Sequence, residues 1–261
     1  LGKLDKVSSK LNRYLAAPKN KENPSIAYFS MEYGLHDSLK IFSGGLGLLA
    51  GDYLKEASDR NYDITAVGIL YRYGYFKQVI STNGDQVASY EPQEFSNIPV
   101  EPARDKKGTW ITVALVLPGR TLSIRVWKVQ VGRINLYLLD TDFEANNDQD
   151  RTITHQLYGG DLENRLKQEL LLGIGGIRAL RKLGIDADLY HCNEGHAALI
   201  NVERMRDYIT QYNMPFDEAN EIIRASSLFT THTPVPAGLE RFGFDLIDEH
   251  LPTFYPSMGL S

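Results

Sequence analysis

The sequence predicts an α/β protein that has a parallel sheet with helices on both faces and a β-rich antiparallel insertion. Three observations lead to this prediction. Strand-like and helix-like segments alternate over residues 25–71 and again over residues 188–232, while residues 73–142 between them have an apolar–polar period of two. Strand–helix–strand order is typical of parallel sheets, whereas short period-two strands joined by turns favour antiparallel pairing.

The N-terminal part predicts a helix, a linker and a βαβ unit. Apolar residues recur at helical spacing from Leu4 to Leu15, so residues 1–24 are interpreted as a peripheral helix and a polar linker. A strand, a glycine-rich turn, a helix and a second strand are predicted next, at residues 25–31, 43–47, 48–60 and 64–71. That order defines a βαβ unit.

The rest of the chain predicts the insertion and the second half of the sheet. Insertion strands are expected at residues 110–117, 122–131 and 133–139, with turns at Pro118-Gly119 and Gly132. Helices are then expected at residues 162–183, 195–212 and 216–225, and strands at residues 188–193 and 227–232. We therefore predict one domain over residues 25–261 that carries the insertion at about 73–142.

Composition excludes several classes of protein. The 261 residues are 43% hydrophobic and 23% charged, and the net charge of −5 without a basic stripe argues against binding to nucleic acid or to an anionic membrane. A single cysteine, Cys192, rules out an internal disulfide framework and favours a reducing compartment, so we expect a cytoplasmic protein. No apolar run approaches the roughly 20 residues that span a bilayer, and the N-terminal residues lack a signal peptide's apolar core.

Three polar segments follow predicted strands, at the ends where open α/β sheets bind ligands. The first is glycine-rich and enters a helix, so its backbone could approach an anion closely and offer it unpaired N–H groups. An ordinary tight turn is the alternative. A dinucleotide fingerprint is a weak match, because residues 36–42 separate the glycines from the preceding strand, and a Walker loop is excluded because no Gly-Lys-Ser/Thr follows. The candidate anion-binding residues are Gly44, Gly45, Leu46 and Gly47.

The other two segments carry histidines. Residues 191–196 offer donors and acceptors suited to sugar hydroxyls, and residues 230–238 end a strand in a polar cluster that two prolines stiffen. A packed core histidine and a rigid crossover loop are the alternatives. A metal site on His191, Glu194 and His196 is disfavoured, since it lacks the His-Glu-x-x-His spacing.

Five stretches, in order between about Ser25 and Phe242, resemble the α-glucan phosphorylase family. They are Ala27-Tyr28-Phe29-Ser30-Met31-Glu32-Tyr33-Gly34, Ser43-Gly44-Gly45-Leu46-Gly47 with Ala50-Gly51-Asp52, Arg165-Leu166-Lys167-Gln168-Glu169, Asn193-Glu194-Gly195-His196, and Thr231-His232-Thr233-Pro234-Val235-Pro236.

The resemblance implies a glycosyltransferase-B arrangement of two facing Rossmann-like domains, of which this chain would be the N-terminal half. It implies release of α-glucose 1-phosphate, with retention, from the non-reducing ends of glycogen, starch or maltodextrin by orthophosphate. It also implies pyridoxal 5′-phosphate, held by a lysine of a C-terminal domain that this sequence lacks. No lysine here sits in that cofactor motif, so the chain alone is expected to fold but not to catalyse.

The resemblance further implies roles for individual residues. Gly44, Gly45 and Leu46 would offer backbone N–H groups to the phosphate and the sugar. His232 would be catalytic, with its side chain near the sugar's primary hydroxyl and its carbonyl near the developing oxocarbenium. The remaining residues implied to bind substrate are Gly47, Asn193, Glu194, His196, Thr233, and Asp161 on a loop that gates access. That loop is short and no regulatory segment is recognised, which favours a compact microbial form.

Alternatives remain open at this stage. A nucleotide-sugar glycosyltransferase of the glycogen or starch synthase type would place a lysine just before the glycines, where this chain has Phe42-Ser43. A nicotinamide-dependent oxidoreductase and a non-catalytic glucan-binding module are two others. Association of identical chains is also left open.

Overall fold

The computed structural model describes residues 2–18, 20, 22–234, 240–252 and 254–259. Its helices are α1 (Gly2–Leu15), α2 (Gly45–Asp59), α3 (Asp148–Arg151), α4 (Leu162–Leu170), α5 (Gly176–Lys182), α6 (Leu199–Tyr212), α7 (Phe216–Ala225), α8 (Phe244–His250) and α9 (Phe254–Ser257). Its strands are β1 (Ile26–Phe29), β2 (Ile64–Ile69), β3 (Lys77–Ile80), β4 (Gln86–Ser89), β5 (Glu101–Pro102), β6 (Thr112–Leu117), β7 (Arg120–Val131), β8 (Ile134–Asp140), β9 (Leu189–Asn193) and β10 (Ser227–Thr230). No described helix is long and apolar enough to cross a membrane.

One eight-stranded sheet organises the described chain, in the order β10-β9-β1-β2-β8-β7-β5, with β6 also paired to β7. The first five strands of that order are parallel to one another. Strand β7 is antiparallel to β8, and β5 and β6 pair antiparallel with different parts of this long strand. Strands β3 and β4 form a separate antiparallel hairpin. The predicted α/β class with antiparallel strands is therefore confirmed.

Helices cover both faces of the sheet, as neighbouring residues of β1 show. Successive side chains of a strand point to opposite faces. The Tyr28 ring lies 4.9 Å from the ring of Tyr53 on α2. Phe29 faces α5 so closely that a Cβ added to Gly176 would stand 2.7 Å from its ring. The fully buried layer between sheet and helices includes Val67, Leu136 and Leu138.

The predicted insertion is wrong in one respect, because the strand expected at residues 133–139 belongs to the parallel sheet. This strand is β8, which forms a hairpin with β7 through Gly132 but pairs in parallel with β2 on its other edge. Every residue of β8 except Asn135 is buried. Such a continuous buried run is typical of a central parallel strand, and it outweighs the period-two reading.

Two of the predicted helices also differ from the structure. The helix expected at residues 162–183 contains a wide π turn at Leu171–Gly175, between α4 and α5. Its Gly173 lies so near α6 that an added Cβ would come within 2.7 Å of the Leu199 side chain. The second difference is in α2, which begins at Gly45 rather than near residue 48, so the glycine-rich segment forms the helix start itself.

Helix α1 contains no buried residue, and its Tyr14 side chain contacts the end of α2. The Tyr14 hydroxyl lies 2.6 Å from Ser58 Oγ and donates to Asp59 at 2.7 Å, at the end of α2. The guanidinium of Arg133 covers the Tyr14 ring at 4.3 Å. Whether residues 1–24 form a unit distinct from residues 25–261 stays a prediction.

Candidate functional site

The candidate site lies where three adjacent parallel strands end at the same edge of the sheet. Strands β1, β9 and β10 are neighbours. Ser30–Glu32 follow β1, Asn193 ends β9 and is followed by Glu194–His196, and Thr231–Thr233 follow β10. Open α/β sheets bind ligands beyond these carboxyl ends. The topology therefore brings together two of the polar segments that the sequence singled out, those that begin at His191 and Thr230, and places Ser30–Glu32 beside them.

The glycine-rich segment forms the start of α2. Gly44 is the N-cap residue, and Gly45, Leu46 and Gly47 form the first helical turn. The N–H groups of a first turn have no carbonyl to bond within the helix, and the helix dipole there favours an anion. Just before the cap, the backbone N–H of Ser43 donates to the buried carboxylate of Glu32 at 2.7 Å. Glu32 thus fixes the entry of the chain into the helix.

The glycines divide into a packed pair and an open pair. A Cβ at Gly51 would stand 2.1 Å from the carbonyl oxygen of Gly34, and one at Gly47 would stand 2.4 Å from Cβ of Phe42. By contrast, a Cβ at Gly44 or Gly45 would meet no described atom within 4 Å. Packing therefore explains why residues 47 and 51 are glycines, but not why residues 44 and 45 are. Glycines without packing contacts are expected where a ligand must approach the backbone closely.

We expect Gly51→Ala and Gly45→Ala to have opposite effects. Gly51→Ala forces backbone atoms apart and should destabilise the fold by about 1–3 kcal/mol or more. Gly45→Ala enters space that no described atom occupies, so it should leave the melting temperature unchanged. Its methyl group should keep the anion from approaching the backbone N–H groups closely and raise the KM for orthophosphate of the complete protein by about tenfold, the scale of one weakened charge-assisted hydrogen bond. Thermal unfolding and phosphate-dependent kinetics of both variants test this; a Gly45→Ala protein with normal phosphate kinetics would contradict it.

Glu194 holds the loop that follows β10. Its own backbone has a positive φ of 67°, and its carboxylate accepts the backbone N–H groups of His232 and Thr233 at 2.5 and 3.0 Å. The hydroxyls of Thr231 and Thr233 donate to the same carboxylate at 3.3 and 3.2 Å. Burial opposes ionisation of Glu194, but these hydrogen bonds outweigh it and lower the pKa of the carboxyl. At neutral pH the anchor is charged.

The His232 ring is oriented by Asn193. Its Nε2 lies 2.9 Å from Asn193 Oδ1, and since that amide oxygen can only accept, Nε2 carries the proton. Asn193 is 1% exposed, and its Nδ2 donates to Ser30 Oγ at 3.1 Å. The imidazole itself is exposed at the open end of the sheet. A buried amide thus presents an accessible histidine in one orientation.

Below the glycine helix lies a second group of contacts, around Tyr158. Its hydroxyl donates to Glu32, and its ring centroid is 5.6 Å from that of His196. The Arg165 guanidinium lies over the Tyr158 ring, 4.5 Å from its centroid. Burial, together with the charge of Arg165, lowers the pKa of His196. Nδ1 of His196 and two nitrogens of Arg165 have no hydrogen-bond partner among the described residues.

Sequence reasoning did not assign site roles to Glu32, Tyr158 and Arg165. Each falls within or beside a segment singled out for other reasons, and Glu32 carried a usable signal. A carboxylate three residues past a buried strand, at the edge where α/β sheets bind ligands, is a candidate by position. Tyr158 and Arg165 carried no comparable signal, because they reach the site from a different stretch of chain.

The other predicted residues have mixed outcomes. Thr233 lies in the site through its bonds to Glu194. The Asp161 carboxylate caps α4 by accepting the N–H of Asn164 at 2.9 Å, so its gating role stays a prediction. The predicted loop residues Val235, Pro236, Ala237 and Gly238 lie outside the described residues. His191 bonds Thr230 through Nε2 at 2.7 Å, and the described residues contain no cluster of His, Cys, Asp or Glu able to hold a metal.

Together the fold and site define an α/β protein in which polar segments after adjacent parallel strands connect, through Glu32 and Ser43, to a glycine-rich helix start. A family model described as "Carbohydrate phosphorylase" matches residues 122–257, just over half of the chain. The chain therefore belongs to the carbohydrate phosphorylase family. A second model, "Protein of unknown function (DUF3417)", matches residues 1–39.

Individual relatives agree with the family model. The chain is 40% identical over 269 residues to a glycogen phosphorylase of Mycobacterium tuberculosis, covering 96% of this chain and 31% of the relative. It is 44% identical over 233 residues to a maltodextrin phosphorylase of Thermococcus litoralis, covering 89% of this chain and 28% of the relative. A glycogen phosphorylase of Aquifex aeolicus is 38% identical over 239 residues, with 92% and 34% covered. The chain thus spans about a third of the length of these relatives.

Proposed function

We propose that this chain is the N-terminal portion of an α-1,4-glucan phosphorylase, a glycosyltransferase of glycogen or maltodextrin degradation. The observation that carries the proposal is the connection between the helix start at Gly44 and the His232 loop. Ser30 bridges them: it accepts from Asn193 and donates to the carbonyl of Glu32 at 2.9 Å, while Glu32 holds Ser43. One hydrogen-bonded frame therefore positions both segments relative to each other.

The chemistry of phosphorolysis fits this frame. The reaction needs an anion cradle for orthophosphate and stabilisation of an oxocarbenium-like sugar, without the usual pair of catalytic carboxylates. In the proposed site the N–H groups of Gly44, Gly45 and Leu46 bind the anion. The loop at His232 contacts the glucosyl unit, with Asn193, His196 and Thr233 lining the same cleft. The charged Glu194 carboxylate binds backbone N–H groups of the loop, so Glu194 is a positioning group.

Pyridoxal 5′-phosphate is proposed for the complete protein but not for this chain. The site residues offer imidazole, hydroxyl, carboxylate and backbone N–H groups, and none is an amine that could form a Schiff base. Lys167, the buried lysine of α4, is paired with Glu163 at 2.6 Å. The cofactor is therefore proposed to be held by a part of the protein outside these residues.

Substrates and location complete the proposal. An α-1,4-glucan or maltodextrin and orthophosphate are the proposed substrates, with α-glucose 1-phosphate as the product. Burial raises the pKa of Cys192 to about 12, so this thiol is unreactive. The cytoplasmic location is proposed from the single cysteine of the sequence. Gating by Asp161 on the loop after Tyr158 and association of identical chains are proposals of the same standing.

The test is an assay of the complete protein that contains this chain. Incubation with maltodextrin and orthophosphate should yield α-glucose 1-phosphate at a rate proportional to enzyme. Parallel reactions with ADP-glucose or UDP-glucose and a maltodextrin acceptor test the related synthase activity. Glucosyl transfer from a nucleotide sugar, with no phosphorolysis, would contradict the proposal.

A further inference from the structure

Carboxylates hold the described chain on either side of residues 235–239, one at His232 and Thr233 and the other at Glu240. On the first side, Glu194 accepts the N–H groups of His232 and Thr233. On the second side, where the described chain resumes, Glu240 Oε1 lies 2.5 Å from Nη2 of Arg165. The Arg165 side chain is only 9% exposed. A buried ion pair of this kind is costly to break from one side, because it leaves the other charge unpaired.

The second anchor is continuous with the rest of the site. Arg165 stacks on Tyr158, the Tyr158 hydroxyl bonds Glu32, and Glu32 bonds Ser43 at the start of the glycine helix. Each step of this path is a direct contact. The position of Glu240 is therefore tied to the proposed phosphate cradle as well as to the loop.

A second carboxyl group shares the anchor. Glu169 follows Arg165 by one helical turn on α4, is 5% exposed, and is hydrogen-bonded to Glu240. Two carboxyl groups beside one guanidinium are electrically balanced only if they share one proton. Burial and the neighbouring Glu240 raise the pKa of Glu169 to about 9. Burial also opposes ionisation of Glu240, but its bonds to Glu169 and Arg165 outweigh that effect and lower its pKa.

We propose that Arg165, Glu169 and Glu240 are positioning residues, and that the ion pair between Arg165 and Glu240 holds the chain at residue 240, eight residues after His232. The inference rests on the proposed function, since His232 is taken to contact the sugar. Other charged groups lie around this cluster. Glu32 acts on Tyr71 and Tyr158, Glu32 and Glu194 act on His196, and His196 acts on Glu240. Sharing of this proton needs no co-reactant, because the proton stays on Glu169.

The charge balance predicts different results for the two carboxyl groups. Glu240→Gln leaves Arg165 with Glu169, which then ionises as the remaining counter-ion, so the charge is balanced but the loop loses its tether. Glu169→Gln keeps a neutral donor to Glu240, so the tether stays. Since wild-type Glu169 is protonated below about pH 9, the two variants separate tethering from burial of charge.

The experiment uses the complete protein and measures steady-state kinetics and hydrogen–deuterium exchange of the peptide over residues 231–240. Glu240→Gln should raise exchange there and lower kcat by about tenfold, with KM within about twofold, as expected for lost transition-state positioning. Glu240→Asp, which keeps the charge but shortens the reach, should fall between. Glu169→Gln should match the parent near neutral pH. The control is Glu221→Gln, which removes a carboxylate from an exposed pair with Arg224 on α7.

pH dependence provides the readout that a merely structural role would not change. The parent should lose kcat as pH rises through about 9, where Glu169 ionises and two charged carboxylates face one guanidinium, and Glu169→Gln should lack this decline. The stability of the folded protein should depend on pH in the same direction. Between the ordinary Glu pKa of 4.5 and about 9 the folded protein binds the extra proton, so its stability relative to Glu169→Gln should fall as pH rises. Urea midpoints measured at the two ends of that range check this.

Three results would overturn the inference. The first is parental exchange and kcat in Glu240→Gln, the second is raised exchange with unchanged kcat, and the third is a loss of kcat in Glu169→Gln as large as in Glu240→Gln near neutral pH. A complete protein without phosphorolysis would refute the proposed function instead. The exchange measurement would still decide whether Glu240 anchors the loop.

Discussion

Replacing His232 by alanine in the complete protein is expected to lower kcat for phosphorolysis by roughly 10²-fold or more, the scale of a lost preorganised transition-state contact. The geometry supports an effect mainly on kcat. His232 is exposed at the sheet edge, but Asn193 fixes its ring and Glu194 fixes its backbone. A group held this firmly contributes most when charge develops in the transition state.

The matched control is another exposed histidine. His36 is exposed and lies outside the residues of the candidate site, and its described ring contacts are with Ser38, whose hydroxyl is 3.0 Å from Nδ1. His36→Ala should keep kcat within about twofold of the parent, as most surface substitutions do. Both variants should retain the parental melting temperature within a few degrees. Equal kinetics for His232→Ala and the parent would remove His232 from the site.

The second large effect is that the 261-residue chain, purified alone, should fold but produce no α-glucose 1-phosphate. Folding is expected because the described core is extensive and the parallel sheet is covered on both faces. Activity is not expected, since the site is proposed to lie between two domains and the cofactor to be bound by the other one. Half a cleft also leaves its N–H donors competing with water.

The assay for this prediction contains maltodextrin, orthophosphate and pyridoxal phosphate, with a His232→Ala chain as the control. Sustained product formation above that control would contradict it and would require a cofactor lysine within these residues. Exposed apolar side chains on the outermost parallel strand, Leu228 at 52% and Phe229 at 53%, should also drive self-association of the isolated chain. Light scattering measures that tendency directly.

Element order and type were predictable from the sequence where the pattern was local. The helix expected at residues 216–225 is α7 as the structure has it, and the hairpin turn at Pro118-Gly119 lies between β6 and β7 with Gly119 at a φ of 68°. The parallel pairing of β8 with β2 was not predictable from period alone. It depends on a contact between strands about 70 residues apart, and only the short apolar run at residues 136–139 hinted at it in the sequence.

The candidate site shows the same division. His232, Asn193 and Glu194 were found because they follow strands whose carboxyl ends share an edge. Arg165, Glu169 and Glu240 were not, because an ion pair between residues 75 positions apart leaves no local pattern. The two kinds of glycine near α2 were also indistinguishable in the sequence. Only the space around each backbone separates Gly51, required by packing, from Gly45, which faces open space.

The central claim is that the helix start at Gly44 to Gly47 and the loop at His232 are the two sides of one phosphate and sugar site. The most direct test is a crystal structure of the complete protein soaked in orthophosphate with a maltodextrin. We expect the anion within hydrogen-bond distance of the N–H groups of Gly44, Gly45 and Leu46, and the terminal glucosyl unit against His232. Phosphate bound elsewhere, with this helix start empty and the sugar away from His232, would contradict the account.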